Sequence, residues 1–134
     1  MNAPIPGPNA GSSKTPSGAD PALGRLARDY LKFRRMRDQA FPPNLFADPA
    51  WDILLDLFAC AHESREVSIS SACIAANVPF TTALRYVKLL DQAGLIERRD
   101  DEGDRRRQLL RLTPEATSRL TAVLRASALW PNVS

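Results

Sequence analysis

The chain has 134 residues, 44% of them apolar and 25% charged, with a formal net charge of +3. That is one compact domain plus a tail, too short for a second core and too ordinary in balance for a fibrous or wholly disordered protein. No apolar run approaches the length needed to span a bilayer.

Residues 1–20 hold four Pro, three Gly and three Ser, with Ile5 the only large aliphatic side chain. Such a segment cannot bury enough surface to offset its ordering entropy, so it reads as a disordered tail. It lacks the apolar stretch of a secretory signal, and the expected location is cytoplasmic. The domain is expected over 21–130.

Three helix starts share one device, an Asp or Thr followed by Pro: Asp20-Pro21, Asp48-Pro49 and Thr113-Pro114. The first residue can cap free amides, and the Pro has no amide to leave unpaired. The first helix is expected from Pro21 to Gln39. Its apolar stripe would be Leu23, Leu26, Tyr30 and Phe33, with basic residues such as Arg28 and Arg35 opposite.

A second helix, Pro49 to His62, is apolar on most sides, leaving Asp52, Asp56 and Glu63 as a thin polar edge. It should lie in the middle of the fold. Val67–Ile69 can form only a very short strand. Ser70 can cap a short helix through Ala76, and Asn77-Val78-Pro79 turns the chain into a further helix, Phe80 to Ala93, stopped by Gly94.

Two strands follow, LIERR and RRQLLRL, joined by the polar loop DDEGD. The last helix, opened by Thr113, carries Ala116, Leu120, Val123 and Leu124 on one face. The expected class is mainly α with a small β-hairpin, a winged helix-turn-helix flanked by N- and C-terminal helices.

The charge distribution points to nucleic acid. Residues 80–111 carry eight Lys/Arg against six Asp/Glu, and from Val67 to Leu90 there is no acidic residue, only Arg85 and Lys88. A surface that approaches phosphates is kept in this state. On the helix from Phe80, Ala83, Tyr86, Val87 and Leu90 share a core side. Thr81, Arg85 and Lys88 project oppositely, with Thr82 beside them. Arg85 can address a guanine edge, Thr81 a base or phosphate, and Lys88 a phosphate.

The hairpin adds five guanidinium groups, Arg98, Arg99, Arg105, Arg106 and Arg107. Arginine at a wing tip can enter a narrow minor groove, where the negative potential is enhanced. The neighbouring acids would repel phosphates if all faced outward, so Asp104 is expected to pair with an arginine and fix its direction.

Gly94-Leu95 followed by arginines, Asp104 with Arg106 two residues later, and Leu112-Thr113 closing the hairpin resemble the MarR family of bacterial transcription regulators, over roughly residues 49–125. The resemblance implies a homodimer on a two-fold-related operator in double-stranded DNA. Arg106 would be the minor-groove arginine, Asp104 its support, and the helix from Phe80 the recognition helix.

The chain departs from the family pattern at Pro79-Phe80, where small or charged polar residues are usual, and in the shortness of the segment after Thr113. Dimerisation is therefore expected from the first and last helices, through Leu23, Leu26, Tyr30, Phe33, Leu120, Val123 and Leu124, with Trp130. No ligand is carried over, and a small-molecule effector stays open.

Cys60 and Cys73 lack a CxxC or paired-His pattern, which argues against zinc, and read as buried filler. His62 reads as a capping or surface residue. DDEGD lacks the ligand spacing of a calcium loop. With no nucleophile elbow, phosphate loop or metal set, neither an enzyme nor a cofactor is expected. The expected function is a sequence-specific, dimeric regulator acting as a repressor. The alternative is a winged helix used for protein contact, with Tyr86 and the first helix's stripe as partner surface.

Overall fold

The computed structural model describes residues 20–127. In chain order it contains α1 (Pro21–Ala40), α2 (Pro49–His62), β1 (Val67–Ser68), α3 (Ile69–Ala75), α4 (Phe80–Gln92), β2 (Ile96–Asp101), β3 (Asp104–Leu112) and α5 (Pro114–Ala126). Apart from Asp20, the tail expected at 1–20 lies outside the described residues, as does Trp130.

The strands form one antiparallel sheet in the order β1-β3-β2. β1 adds two residues to the hairpin, Val67 opposite Leu110 and Ser68 opposite Leu109. This is a winged helix fold flanked by helices, the class the sequence implies.

Two of the three Asp/Thr-Pro starts work as caps. Asp20 accepts from the Ala22 amide at 2.9 Å, and Thr113 Oγ1 from the Ala116 amide at 3.1 Å. Asp48 makes no side-chain cap bond. Its φ/ψ of −146°/68° is far from the extended geometry of the other two, so only its backbone carbonyl takes part, accepting from Asp52 N at 3.0 Å. The α3 cap is Ser68, which accepts from the Ser71 amide at 3.1 Å, and not Ser70, which sits inside the first turn.

α2 lies between two apolar clusters, as its nearly unbroken apolar surface requires. On one side Ile53, Leu57 and Cys60 meet α3, α4 and the sheet through Val67, Ala72, Val87, Leu90, Ile96 and Leu110. On the other, Leu55, Phe58 and Ala59 meet Leu23, Ala27 and Leu31 of α1 and Leu120 and Leu124 of α5.

That second cluster corrects the expected α1 stripe. The buried positions are Leu23, Gly24, Ala27, Leu31 and Arg34, while Phe33 is 62% exposed. Small residues decide this: Gly24 and Ala27 let α1 approach α2 closely, and a stripe drawn through large side chains misses them. It also corrects the dimer surface. Leu23, Leu120 and Leu124 are buried within the protomer and Leu26 and Tyr30 pack on the same cluster, so of the seven residues only Phe33 and Val123 present large exposed areas.

The polar edge of α2 is wet only at Glu63. Asp52 is 1% exposed and accepts from Arg34 Nε at 2.6 Å and from Arg35 Nη2. Burial works against the Arg34 charge, but the Asp52 carboxylate outweighs it, and the guanidinium pKa is raised. Arg28 bridges Asp56 at 2.9 Å and Glu63 at 3.1 Å. The basic residues of α1 thus clamp α2.

Gly24 marks a close approach of these helices. A Cβ there would lie 2.4 Å from His62 Cβ. His62 is fixed in turn, its Nδ1 3.0 Å from the Phe58 carbonyl, so its role is packing and bonding within α2 rather than an exposed surface one. Gly24→Ala gains roughly 1 kcal/mol of helix propensity, whereas overpacking costs about 1–3 kcal/mol. At this distance the clash wins. Thermal melting should show a less stable variant, and adding His62→Ala, which removes Cγ and Cδ2 but keeps the Cβ at 2.4 Å, should leave most of the loss in place.

Candidate nucleic-acid interface

α3, a tight turn and α4 form the helix-turn-helix. Asn77 takes a left-handed φ of 58° after α3, a conformation that Asn tolerates better than most residues. Its Nδ2 donates to Asp38 Oδ2 at 3.0 Å, tying the turn to the end of α1. Asp38 is desolvated, yet Arg37, Arg35 and Asn77 together hold its carboxyl below the usual range. Arg35 also reaches Asp52, so Asp52, Arg35, Asp38 and Asn77 form one chain of polar contacts from α2 to the turn before α4.

α4 buries Ala83, Val87 and Leu90. Tyr86 is partly buried against the same cluster, which removes most of it as a free partner surface. Thr81, Arg85 and Lys88 are exposed on the opposite side and have no bonded partner among the described residues, and Thr82 is half-buried. α4 stops as expected: Gly94 takes φ +76°, and Leu95 N donates to the Leu90 carbonyl at 3.0 Å.

Thr113 explains why Leu112-Thr113 closes the hairpin. Its hydroxyl donates to the Gly94 carbonyl at 2.9 Å, its amide to Leu95 O at 3.1 Å, and the same hydroxyl oxygen caps α5. One residue thereby joins the end of α4, the base of the wing and the start of α5.

The wing is longer and its loop shorter than DDEGD suggests. Asp100, Asp101 and Asp104 lie in the strands, with a register shift between Asp100 and Asp101, and Glu102-Gly103 form the tip. Most of the arginines already have carboxylate neighbours. Arg98 Nε meets Asp91 of α4 at 3.1 Å, Arg99 meets Glu66 at 2.9 Å, and Arg107 meets Asp101 at 3.0 Å. These surface pairs are weak and exchangeable. They hold the three side chains toward α4, the segment before β1 and the wing itself.

Arg106 differs. Asp104 Oδ1 accepts from the Arg106 amide at 3.0 Å and from its Nε at 3.2 Å, yet the Arg106 side chain is 90% exposed. Both terminal nitrogens lack a bonded partner among the described residues, while the stem is directed. The backbone bond first, and the side-chain bond second, hold the Asp104 carboxyl below the usual carboxylate range, so it stays ionised at neutral pH. Arg105 has no acidic partner among the described residues.

The cysteines are both buried and free. Burial, with the nearby Asp56 charge, pushes the Cys60 thiol up against the pull of Arg28, and burial alone pushes Cys73 up. Among the described residues no three His, Cys, Asp or Glu come together to hold a metal, and no helix is long and apolar enough to cross a membrane.

A family model described as a winged helix DNA-binding domain matches residues 49–116, just over half of the chain. The chain belongs to this winged helix DNA-binding domain family. The match begins at α2 and ends in α5, so α1 lies outside the matched segment.

Among solved structures, the winged helix protein is similar to S. aureus MepR in its DNA-binding conformation, at 21% identity and a TM-score of 0.50, covering 75% of this chain and 65% of that one. It is also similar to the PcaV transcriptional regulator from Streptomyces coelicolor with its natural ligand, at 25% identity and 0.49, covering 75% and 68%. A third neighbour is a mutant of E. coli MarR complexed with operator DNA, at 18% identity and 0.46, covering 84% and 71%. The likeness to MepR is one of fold, and the chain spans less than two thirds of the MepR chain. No curated protein sequence matches it.

Sequence reasoning missed two features of this region. The Asp38–Asn77 link joins residues 39 apart in the chain, with no local signal. The apolar side chains Phe80 and Leu84 stand exposed among the cationic residues of α4, and their place outside the Ala83, Val87 and Leu90 spacing was the available signal.

Proposed function

We propose that the protein is a sequence-specific DNA-binding transcriptional regulator, working as a cytoplasmic homodimer and repressing by steric exclusion. The observation that carries this reading is Arg106, held by Asp104 at Nε and at its backbone amide yet 90% exposed, beside an α4 face without an acidic residue before Asp91. α4 lies in the major groove, where Arg85 addresses a base edge, Thr81 and Thr82 touch base or phosphate near the helix start, and Lys88 holds a phosphate. Arg106 enters the minor groove, and Asp104 directs it. Arg105 contacts phosphate, and Arg98, Arg99 and Arg107 exchange weak carboxylate partners for phosphate oxygens as the wing docks.

Dimerisation is supported by apolar residues left exposed at the flanks, Phe33 and Met36 on α1 and Val123 on α5. Two-fold symmetry then sets half-sites one helical turn apart, roughly 34–36 Å. Light scattering at micromolar concentration should give twice the monomer mass, and a monomer would remove the two-fold operator.

Arg106→Ala is expected to weaken binding about tenfold or more, mainly on sites with narrow A·T-rich minor grooves. Asp104→Ala should give a smaller loss in the same direction, because it frees the arginine without removing it. Competition between A·T-rich and G·C-rich flanks measures both. An equal loss on all flanks would place Arg106 on the backbone instead.

The rival, a winged helix for protein contact, draws on one observation, the exposed apolar residues Ile74 and Phe80 at the helix-turn-helix. It predicts weak affinity that is the same on all sequences.

A further inference from the structure

α4 has an unexpected second component on its open face. Its buried side is already complete with Ala83, Val87 and Leu90. Leu84 is nevertheless 36% exposed and Phe80 54% exposed. Leu84 lies three residues after Thr81, next to Arg85 and four before Lys88, so it belongs to the face assigned to base reading. Phe80 precedes it by one turn and lines a shallow groove with Ile74, Val78 and Pro79. Large apolar side chains grouped at the start of a helix have no favourable contact with water.

We propose that Leu84, with Phe80 one turn before it, is the side chain through which α4 reads thymine, packing on the 5-methyl group of a thymine beside the base pair that Arg85 addresses. This rests on the DNA-reading assignment of α4 and deepens it. The major-groove edge of a base pair has one apolar group, the thymine methyl, and G·C pairs lack it. Leu84 meets a methyl there and exchanges water for hydrocarbon, which a guanine or cytosine edge does not offer.

The surroundings favour duplex DNA as the occupant. Arg85 and Lys88 flank Leu84, and no acidic residue occurs from Val67 to Leu90. Charge complementarity to phosphate therefore extends across the patch. Along the helix, Phe80 and Leu84 are about 6 Å apart in rise, roughly two base-pair steps at 3.4 Å each. The preferred half-site should therefore hold thymine at the Leu84 position and tolerate a second about two steps away.

The test uses the full chain and the best duplex from a selection of bound fragments. Each thymine is replaced singly by deoxyuridine, which removes only the methyl group. One position in each half-site should weaken wild-type binding about three- to fivefold. Leu84→Ala should bind the thymine duplex about that much more weakly and should no longer distinguish thymine from uracil there. The uracil scan on the wild-type protein does not depend on the variant's folding.

If every thymine tolerates the replacement, or if Leu84→Ala keeps the full discrimination, the inference is overturned while an Arg85-dependent motif leaves the DNA reading standing. If no motif is selected at all, the DNA reading falls and this inference with it.

Discussion

Asp52→Ala should cost about 3–5 kcal/mol of folding stability, the range for removing one member of a buried ion pair. Asp52 is 1% exposed, and the Arg34 beside it 6%. The carboxylate accepts from both Arg34 and Arg35, while Arg34 Nη2 and Arg35 Nε already lack a hydrogen-bond partner among the described residues. Without Asp52, a guanidinium charge remains in the α1–α2 junction with nothing to neutralise it. Helices must separate or water must enter.

Against a typical total of 5–15 kcal/mol, such a loss is a large share, and the midpoint should fall by roughly 10–20 °C. Replacing the pair together, Asp52→Leu with Arg34→Leu, should recover most of it, because a well-packed apolar pair avoids the desolvation cost of both ions. Denaturant unfolding of the three proteins checks this. A single-variant loss below about 1 kcal/mol would mean that the junction is open to water. Since Arg35 also meets Asp38, which accepts from Asn77, the same variant should loosen the turn that sets α4.

Arg85→Ala carries the largest expected effect on function, about 1–3 kcal/mol of specific affinity with relaxed preference at one base position. Arg85 is exposed and has no bonded partner among the described residues, so its removal should leave folding unchanged. Lys88→Ala is the contrast. A phosphate contact should weaken binding evenly across sequences and lower the salt slope by about one. Titrating both variants on the selected site and on single-base changes of it separates the two roles. If Arg85→Ala behaved as Lys88→Ala, Arg85 would be a backbone contact.

What was legible in the sequence was local. Gly94 after an apolar helix and Thr113 before Pro114 act within a few residues, so spacing revealed them, and the family resemblance singled out Arg106 as the partner of Asp104. The winged helix order followed. The hidden features join distant segments: Asp52 with Arg34 and Arg35, Arg99 with Glu66, Asp38 with Asn77.

Asp52 read as wet because a carboxylate on a helix usually is. Two adjacent arginines on the preceding helix were the available signal that it is not. Leu23, Leu120 and Leu124 read as a dimer surface because nothing in a periodic pattern says whether an apolar face meets its own chain or another. Gly24 and Ala27 were the clue, since small residues at a helix face permit close intramolecular packing.

Selecting bound genomic fragments with the full chain, and titrating the best one against salt, tests whether α4 and the wing read a particular DNA sequence. An enriched motif with two-fold-related halves is expected, bound far more tightly than scrambled DNA, with affinity falling steeply as salt rises. Fragments without any shared motif, bound equally well whatever their sequence, would contradict it and favour a protein-contact role for the same surface.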